Sequence, residues 1–449
     1  MLTDAAGITP AQPPGKVRRG FWAALGAGFA GLVGLATMAL PLRAAIAPVA
    51  PADTSLYSAA AVARGRVLAG LGACAICHTV PGGAAYAGGL GIQTPFGTVY
   101  TPNITPDIDT GIGTWSYAAF DRAMRDGVSR DGHHLYPAFP YTDFTRATDA
   151  DLQAIYAYLM AQAPVGSVAP QTALAFPFSL RPLMAAWNLL FHRPGAYQPD
   201  LIRSAQWNRG AYLVEGLGHC GACHTGRNLL GAERASRPMG GAVADGWEAP
   251  PLMGLSHAPI PWSEGELFVY LRTGYSALHG PAAGPMAPVI QELAGLPEAD
   301  LRAMAHYLAS SQSAPVTAET EARMVAEIKA STRGAMRISG GPGARIYQNA
   351  CAVCHEAAVM PQFGVQPNLA LNSNLHSASP DNLIRVILNG IQTPANKSLG
   401  AMPGFAETLN DAQLTDLVGF LRRQFAPGKP EWPALQSRIA RLRAETSAS

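Results

Sequence analysis

Outside three short clusters the sequence has no cysteine: its six cysteines all fall at 74 and 77, 220 and 223, and 351 and 354. None is left over for a disulfide framework or for a further thiolate metal site. Charge is scarce too. Only 14% of the 449 residues are charged and the formal net charge is +2, so there is no basic field of the kind that binds nucleic acid. Abundant instead are 47 Gly and 37 Pro, a composition that suits small domains whose long loops wrap a prosthetic group that replaces much of the core. The length fits about three such domains.

Each cysteine pair is followed by histidine, in Cys74-Ala75-Ile76-Cys77-His78, Cys220-Gly221-Ala222-Cys223-His224 and Cys351-Ala352-Val353-Cys354-His355. This pattern points to c-type haem attachment: two thiols add to the haem vinyl groups, and the adjacent imidazole takes one axial position of the iron. Zinc sites and working dithiols also use Cys-x-x-Cys, but four thiolates around zinc would need no histidine three times at one fixed offset. Three covalent haems c are therefore expected, with His78, His224 and His355 as iron ligands.

The three stretches can be laid over one another. A helix-like approach containing Arg64-Gly65, Arg209-Gly210 or Ala344-Arg345 leads into each motif, and a periodic helix ending in Tyr158-Leu159, Tyr307-Leu308 or Phe420-Leu421 closes each stretch. Between them a middle helix starts near Trp115-Ser116, Trp262-Ser263 (with a capping-box spacing to Glu266) or Ser379-Pro380. It ends at Gly127, Gly274 or Gly390, read as left-handed caps. Twelve residues after the last two glycines stand Met286 and Met402, each beside proline. A thioether is a soft iron ligand opposite histidine, and repetition at a shared count favours ligation over core filling. The same count from Gly127 reaches Phe139, which cannot ligate iron. The first haem then has an open sixth position or takes a ligand from elsewhere. His133 and His134 are the nearest candidates, against the alternative that they bond haem propionates or backbone; Met124 and Met160 fit helical stripes. His219 could tune the second haem, while His257, His279, His306 and His376 read as surface or packing residues.

Lys16, Arg18 and Arg19 precede an uncharged run at 21–42, long enough to span a bilayer and oriented with the rest of the chain exported. An uncleaved anchor is favoured over a cleaved signal peptide, with the stretch to Pro51 as tether. Segment 181–191 is too short to span a bilayer and reads as a helix packed between haem domains, with an interfacial helix as the alternative. The tail beyond Pro430 has Leu435, Ile439 and Leu442 at helical spacing with Arg438, Arg441 and Arg443. This is an amphipathic basic helix for a membrane surface or partner, or a helix docked on its own domain.

The runs Thr101-Pro102-Asn103-Ile104-Thr105-Pro106-Asp107 and Asp131-Gly132-His133-His134-Leu135-Tyr136-Pro137, with Thr110-Gly111-Ile112-Gly113 and Trp115-Ser116, resemble the three-haem cytochrome c subunits of bacterial membrane-bound dehydrogenases. The resemblance covers nearly the whole exported chain. It implies a non-catalytic subunit that passes electrons from a partner's cofactor to membrane ubiquinone at the periplasmic face of the inner membrane. The alcohol dehydrogenase type has Met where this chain has Phe139. That Phe, with the phrase from Trp207 to Cys220, is closer to cytochromes serving molybdenum-containing aldehyde dehydrogenases, whose partner carries molybdopterin and iron-sulfur centres. Quinoprotein (PQQ) alcohol dehydrogenase and flavin gluconate dehydrogenase are the other partner types. A haem enzyme using an open first haem, and a stand-alone soluble carrier, are the competing functions. The expected fold is all-α: an N-terminal transmembrane helix and tether (1–51), then cytochrome c domains at 52–165, 201–312 and 341–427, linkers at 166–200 and 313–340, and a tail at 428–449.

Overall fold

The computed structural model describes residues 43–254, 258–312, 317–335, 340–356 and 364–447. In chain order, the first unit holds α1 (Ala59–Leu71), α2 (Tyr117–Asp126) and α3 (Asp149–Met160), and a connecting helix α4 (Leu183–Phe191) follows. The second unit holds α5 (Ala205–Tyr212), α6 (Glu264–Thr273), α7 (Met286–Leu293) and α8 (Glu298–Ser310). After a second connecting helix, α9 (Ala318–Ala335), the third unit holds α10 (Pro342–Ala350), α11 (Asp381–Asn389), α12 (Asp411–Phe425) and α13 (Leu435–Ser447).

One device is used three times. The approach helix crosses the closing helix at a glycine: a Cβ on Gly65 would lie 1.9 Å from the Ala154 carbonyl oxygen, on Gly210 2.0 Å from that of Ala303, and on Gly343 2.1 Å from that of Asp416. The aromatic residue of the closing pair packs at the same crossing, Tyr158, Tyr307 or Phe420. Absence of a side chain lets two helix backbones touch, which fixes both the crossing point and the direction in which the cysteine motif leaves α1, α5 or α10. Side-chain caps set the starts: Ser58, Ser116, Thr148, Ser204 and Ser263 each accept from a backbone N–H three residues on, each worth about 1 kcal/mol. Asn410 and Gln413 form a reciprocal capping box. The box read at Ser263 is only half made, because Glu266 bonds Ser276 instead. Gly127 and Gly274 are left-handed caps, whereas Gly390 combines φ 70° with ψ −168°, so its chain leaves α11 in another direction.

The expectation of an all-α chain is corrected. The described residues include three small antiparallel sheets: β1 (Gly91–Thr94), β2 (Gly97–Tyr100) and β3 (Ala173–Leu174); β4 (Ala242–Ala244) with β5 (Trp247–Ala249); and β6 (Tyr275–Ser276) with β7 (Gly280–Pro281). The β4–β5 turn shows why: Asp245 (φ 49°) and Gly246 (φ 75°) both take positive φ, the turn that matches the twist of a tight hairpin. Nor does a membrane-spanning helix belong to the described architecture. No helix among the described residues is long and apolar enough to cross a membrane, and the span expected at 21–42 lies outside them.

The first two units share one hydrophobic core, running from Leu68, Phe120 and Ile155 to Leu217, Ile290 and Met304. The third has its own, around Tyr347, Ile384, Leu417 and Phe420. Asp151, only 1% exposed, joins units one and two: it accepts from Arg64 and, at 2.5 Å, from the Tyr212 hydroxyl. The β4–β5 hairpin reaches from the second unit over α11, where Asn382 bonds both the N–H (2.8 Å) and the carbonyl (2.9 Å) of Glu248. The basic tail is docked on its own unit: Ile439 and Leu442 are buried, Arg438 and Arg441 pair with Asp381, and Arg443 pairs with Asp411. Its basic face is thereby neutralised in place.

Candidate functional site

Each cysteine motif is a single helical turn, Cys74–Cys77, Gly221–His224 and Ala352–His355. One turn sets the two thiols on the same side of the chain. Ala73 (φ 50°) and His219 (φ 34°), just before the first two motifs, take left-handed backbone that swings the chain sharply off the approach helix. Burial pushes the leading thiols up, Cys74 and Cys220 to about 12 and Cys351 to about 11. A working dithiol needs the opposite shift. Among the described residues no three His, Cys, Asp or Glu side chains converge as a zinc site needs.

The imidazoles are prepared for a metal. His78 Nδ1 donates to the Pro102 carbonyl at 2.7 Å and His224 Nδ1 to the Pro250 carbonyl at 2.6 Å. Burial holds both pKa values below the usual histidine range, keeping the rings neutral. A neutral ring that donates from Nδ1 presents the Nε2 lone pair as ligand. His355 faces the Pro367 carbonyl, which opposes the downward push of burial, although its Nδ1 makes no well-formed hydrogen bond.

In the third unit the fit to a large flat group is direct. A cavity of about 620 Å³ is lined by Cys351, Cys354 and His355 together with Met402, and walled by apolar side chains including Leu375, Ile387 and Leu421. Histidine and methionine, distant in sequence, thus share one apolar chamber with the attachment thiols. Pro281 and Ala282 of the second unit complete its wall.

The loops after α2 and α6 follow one backbone path. Leu135 N–H returns to the Gly127 carbonyl at 2.7 Å, and Ala282 N–H to the Gly274 carbonyl at 2.8 Å. Phe139 and Met286 both stand four residues beyond those bonds, although Met286 opens α7 and Phe139 precedes a single turn at Tyr141–Phe144. Both pack against the shared core, as do Cys74 and Cys220. The third loop is different: Ile391 pairs with Met402 itself, so an equal count reaches Met402 by a longer excursion. Phe139 packs edge-on to Phe144 at 5.4 Å, and Phe144 packs on His219 at 5.3 Å. His133 is bound to its own loop, with Nδ1 3.0 Å from Ser129 Oγ and 2.5 Å from the Asp131 carboxylate. His134 has a buried Nδ1 without a partner. Met124 and Met160 are core residues.

The comparisons agree with this geometry. Residues 62–163 match the family described as cytochrome c, and residues 340–421 the family described as cytochrome c oxidase, cbb3-type, subunit III. The chain is 35% identical over 399 residues to the fructose dehydrogenase cytochrome subunit of Gluconobacter japonicus, covering 84% of this chain and 82% of that one. The chain belongs to the cytochrome c subunits of dehydrogenase complexes. It is also 38% identical over 392 residues to the gluconate 2-dehydrogenase cytochrome c subunit of Pantoea cypripedii, covering 82% and 86% of the two chains. To a nicotinate dehydrogenase subunit of Pseudomonas putida it is 54% identical over 437 residues, 97% of this chain but 36% of that relative, so it spans about a third of that protein. The cytochrome subunit carries covalent haem c and transfers electrons within a dehydrogenase complex.

Several residues of the cytochrome subunit's sites escape sequence reasoning. The proline carbonyls are main-chain acceptors with no side-chain signature. A signal exists nonetheless in Pro102-Asn103 and Pro367-Asn368, where Asn103 and Asn368 accept from the N–H two residues on and fix the proline's turn. His279 is buried and stacked on Trp262 at 3.6 Å, His376 bonds the Ala370 carbonyl at 2.8 Å, and His306 pairs with Glu264 at 2.9 Å; these contacts involve no residue of a cysteine motif. His257 lies outside the described residues.

Proposed function

We propose that the cytochrome subunit carries three haems c, held by Cys74, Cys77 and His78, by Cys220, Cys223 and His224, and by Cys351, Cys354 and His355. Met286 and Met402 are the second axial ligands in units two and three. In this reading the chain relays electrons from a molybdenum-containing dehydrogenase of the aldehyde or nicotinate class to ubiquinone, at the periplasmic face of the bacterial inner membrane. The observation that carries it is the repeated histidine pose, with Nδ1 directed at a proline carbonyl and Nε2 free. Bound haem c supplies reversible one-electron iron chemistry at a potential set by its axial ligands. The chain's own work is to hold each imidazole neutral and oriented, to exclude water with apolar walls, and to place the first two attachment turns near one another. Proximity of the first two is visible in the thiols: after burial, the neighbouring Cys223 is what pushes Cys77 up.

The choice of partner is supported by the nicotinate dehydrogenase relative and by Phe139. Flavoprotein and quinoprotein partners are the alternatives, supported by the fructose, gluconate and alcohol dehydrogenase relatives. Intact mass and metal analysis of the complex purified from its native membranes test the reading. Three haem additions on this chain and molybdenum in the partner are expected; two additions, or a flavin in place of molybdenum, overturn the respective part. Phe139 also supports a second reading, a first haem open to exogenous ligand. Carbon monoxide binding to one haem of the intact, unmodified complex is its expected signature.

A further inference from the structure

Helix α4, Leu-Met-Ala-Ala-Trp-Asn-Leu-Leu-Phe, is apolar but for Asn188, which accepts from the Tyr141 hydroxyl on the covered side; the other side is open. Met184 and Trp187 are buried in a small cluster with Tyr136 and Tyr141 of the first unit and Ala232 of the second. Leu189 and Leu190 point the other way, 73% and 59% exposed. The Trp187 indole donates to the Leu230 carbonyl at 2.9 Å, which clamps a turn beside the helix with Leu229 at 96% and Leu230 at 48% exposure. The patch continues without a break. Gly231 approaches the Phe96 ring so closely that a Cβ would lie 3.0 Å from it, Phe96 packs on Phe178 at 4.4 Å, and Phe176 beside them is 80% exposed.

The rim of this patch is basic. Arg193, Arg227, Arg234 and Arg237 are exposed around it. Arg227 is held there by the Gly231 carbonyl at 3.2 Å, and Arg234 by the Arg227 carbonyl at 2.9 Å. Of the acids of the same stretch, Glu215 bonds Arg146 and Tyr307 between the units, and Glu233, under Gly221, pairs with Arg227 at 3.7 Å, so Arg193, Arg234 and Arg237 carry the uncompensated charge of the rim. A contiguous set of large apolar side chains at this exposure marks an interaction surface. Its form selects the partner. Leucines at the end of a helix and the tip of a turn protrude instead of lining a groove, and arginines stand beside them where phosphates would be. That combination fits the headgroup and acyl boundary of an anionic bilayer.

We propose that the outer side of α4 and the Leu229-Leu230 turn form a lipid-docking surface on which the cytochrome subunit rests against an anionic membrane. The proposal rests on the membrane-facing reading above and gives it a location in the described residues. It also orients the molecule, with the junction of units one and two against the lipid.

The test uses the full-length holoprotein with Leu190→Cys carrying an environment-sensitive fluorophore, and in parallel Leu229→Cys and, on the third unit, Glu431→Cys. The probe is vesicles of phosphatidylethanolamine and phosphatidylglycerol with brominated acyl chains. Labels at 190 and 229 are expected to be quenched and the label at 431 to stay in water, while Arg193→Gln and Arg234→Gln each weaken vesicle binding about fivefold at low salt. Sedimentation with the vesicles while 190 and 229 remain in water overturns the patch and leaves the membrane reading standing. Labels that respond to the co-purified catalytic subunit without lipid, and not to vesicles, overturn it in favour of a protein partner. Failure to sediment at all overturns both.

Discussion

Units one and three are built on the same helix crossing and diverge in what surrounds it. The first shares its core with the second and is tied to it through Asp151, Arg64 and Tyr212. The third keeps a core of its own, closed on the outside by α13. The first has Phe139 where the second has Met286, while the third delivers Met402 to a chamber with His355 by a loop of another shape. The crossing is set by backbone contact and tolerates no side chain; the loops after α2, α6 and α11 carry Phe139, Met286 and Met402 at the same count, and the third takes a different route. Scaffold and distal loop thus vary separately within one chain.

The largest expected effect tests the scaffold half of this contrast. Gly65→Leu and Gly343→Leu each place a Cβ about 2 Å from the facing carbonyl oxygen, so the two helices must part, which should cost about 3 kcal/mol or more. Thermal melts followed at each haem should show Gly343→Leu affecting one haem and Gly65→Leu affecting two, since units one and two share a core. Identical, single-haem losses from both would break the comparison. Asp151→Ala leaves the buried Tyr212 hydroxyl without its acceptor, while half-exposed Arg64 turns to water, and should cost about 2 kcal/mol. Its signature is loss of the joint melting of the first two units.

The ligand half is sharpened by exchange. Met402→Ala should lower one haem potential, give a weakly ligated spectrum, and cost about 2 kcal/mol through the space left in the chamber. Phe139→Met should do the reverse at the first haem, raising its potential. Spectra unchanged in both variants would show that the two loops are not comparable. The smallest effect is in pH. Burial raises Glu233 from 4.5 to about 7 and Asp143 from 3.8 to about 6, each also raised by the other's charge or its neighbours. A carboxyl with a raised folded pKa keeps a proton that the unfolded chain gives up. Stability should therefore fall as pH rises from about 4.5 to about 7, by on the order of 1 kcal/mol. Melting at the two ends of that window, repeated with Glu233→Gln, should show the slope flattened in the variant.

The cysteine and histidine triplets stand out in the sequence because covalent attachment demands fixed residue types at fixed spacing. Met402 stands out as a soft atom repeated beside proline, and the structure adds that it lines one chamber with His355. The strands are missed although Asp245-Gly246 is a strong hairpin signal, because a three-residue strand carries no periodicity to read. The proline carbonyls leave no side-chain trace. The tail's pattern is the same for a helix on lipid and a helix on its own unit; Asp381 and Asp411, remote in sequence, decide the matter by neutralising Arg438, Arg441 and Arg443. Equal counts to Met286 and Met402 conceal two backbone routes, since Gly390 departs from the cap geometry of Gly274.

Pro281 and Ala282, which finish the wall of the third chamber, make the units poor candidates for exchange. A third unit cut free of its neighbour would leave that side of its chamber open to water. A foreign unit grafted upstream would have to reproduce that β7 edge. Order of synthesis suits this dependence, because the wall emerges from the ribosome before the chamber it closes.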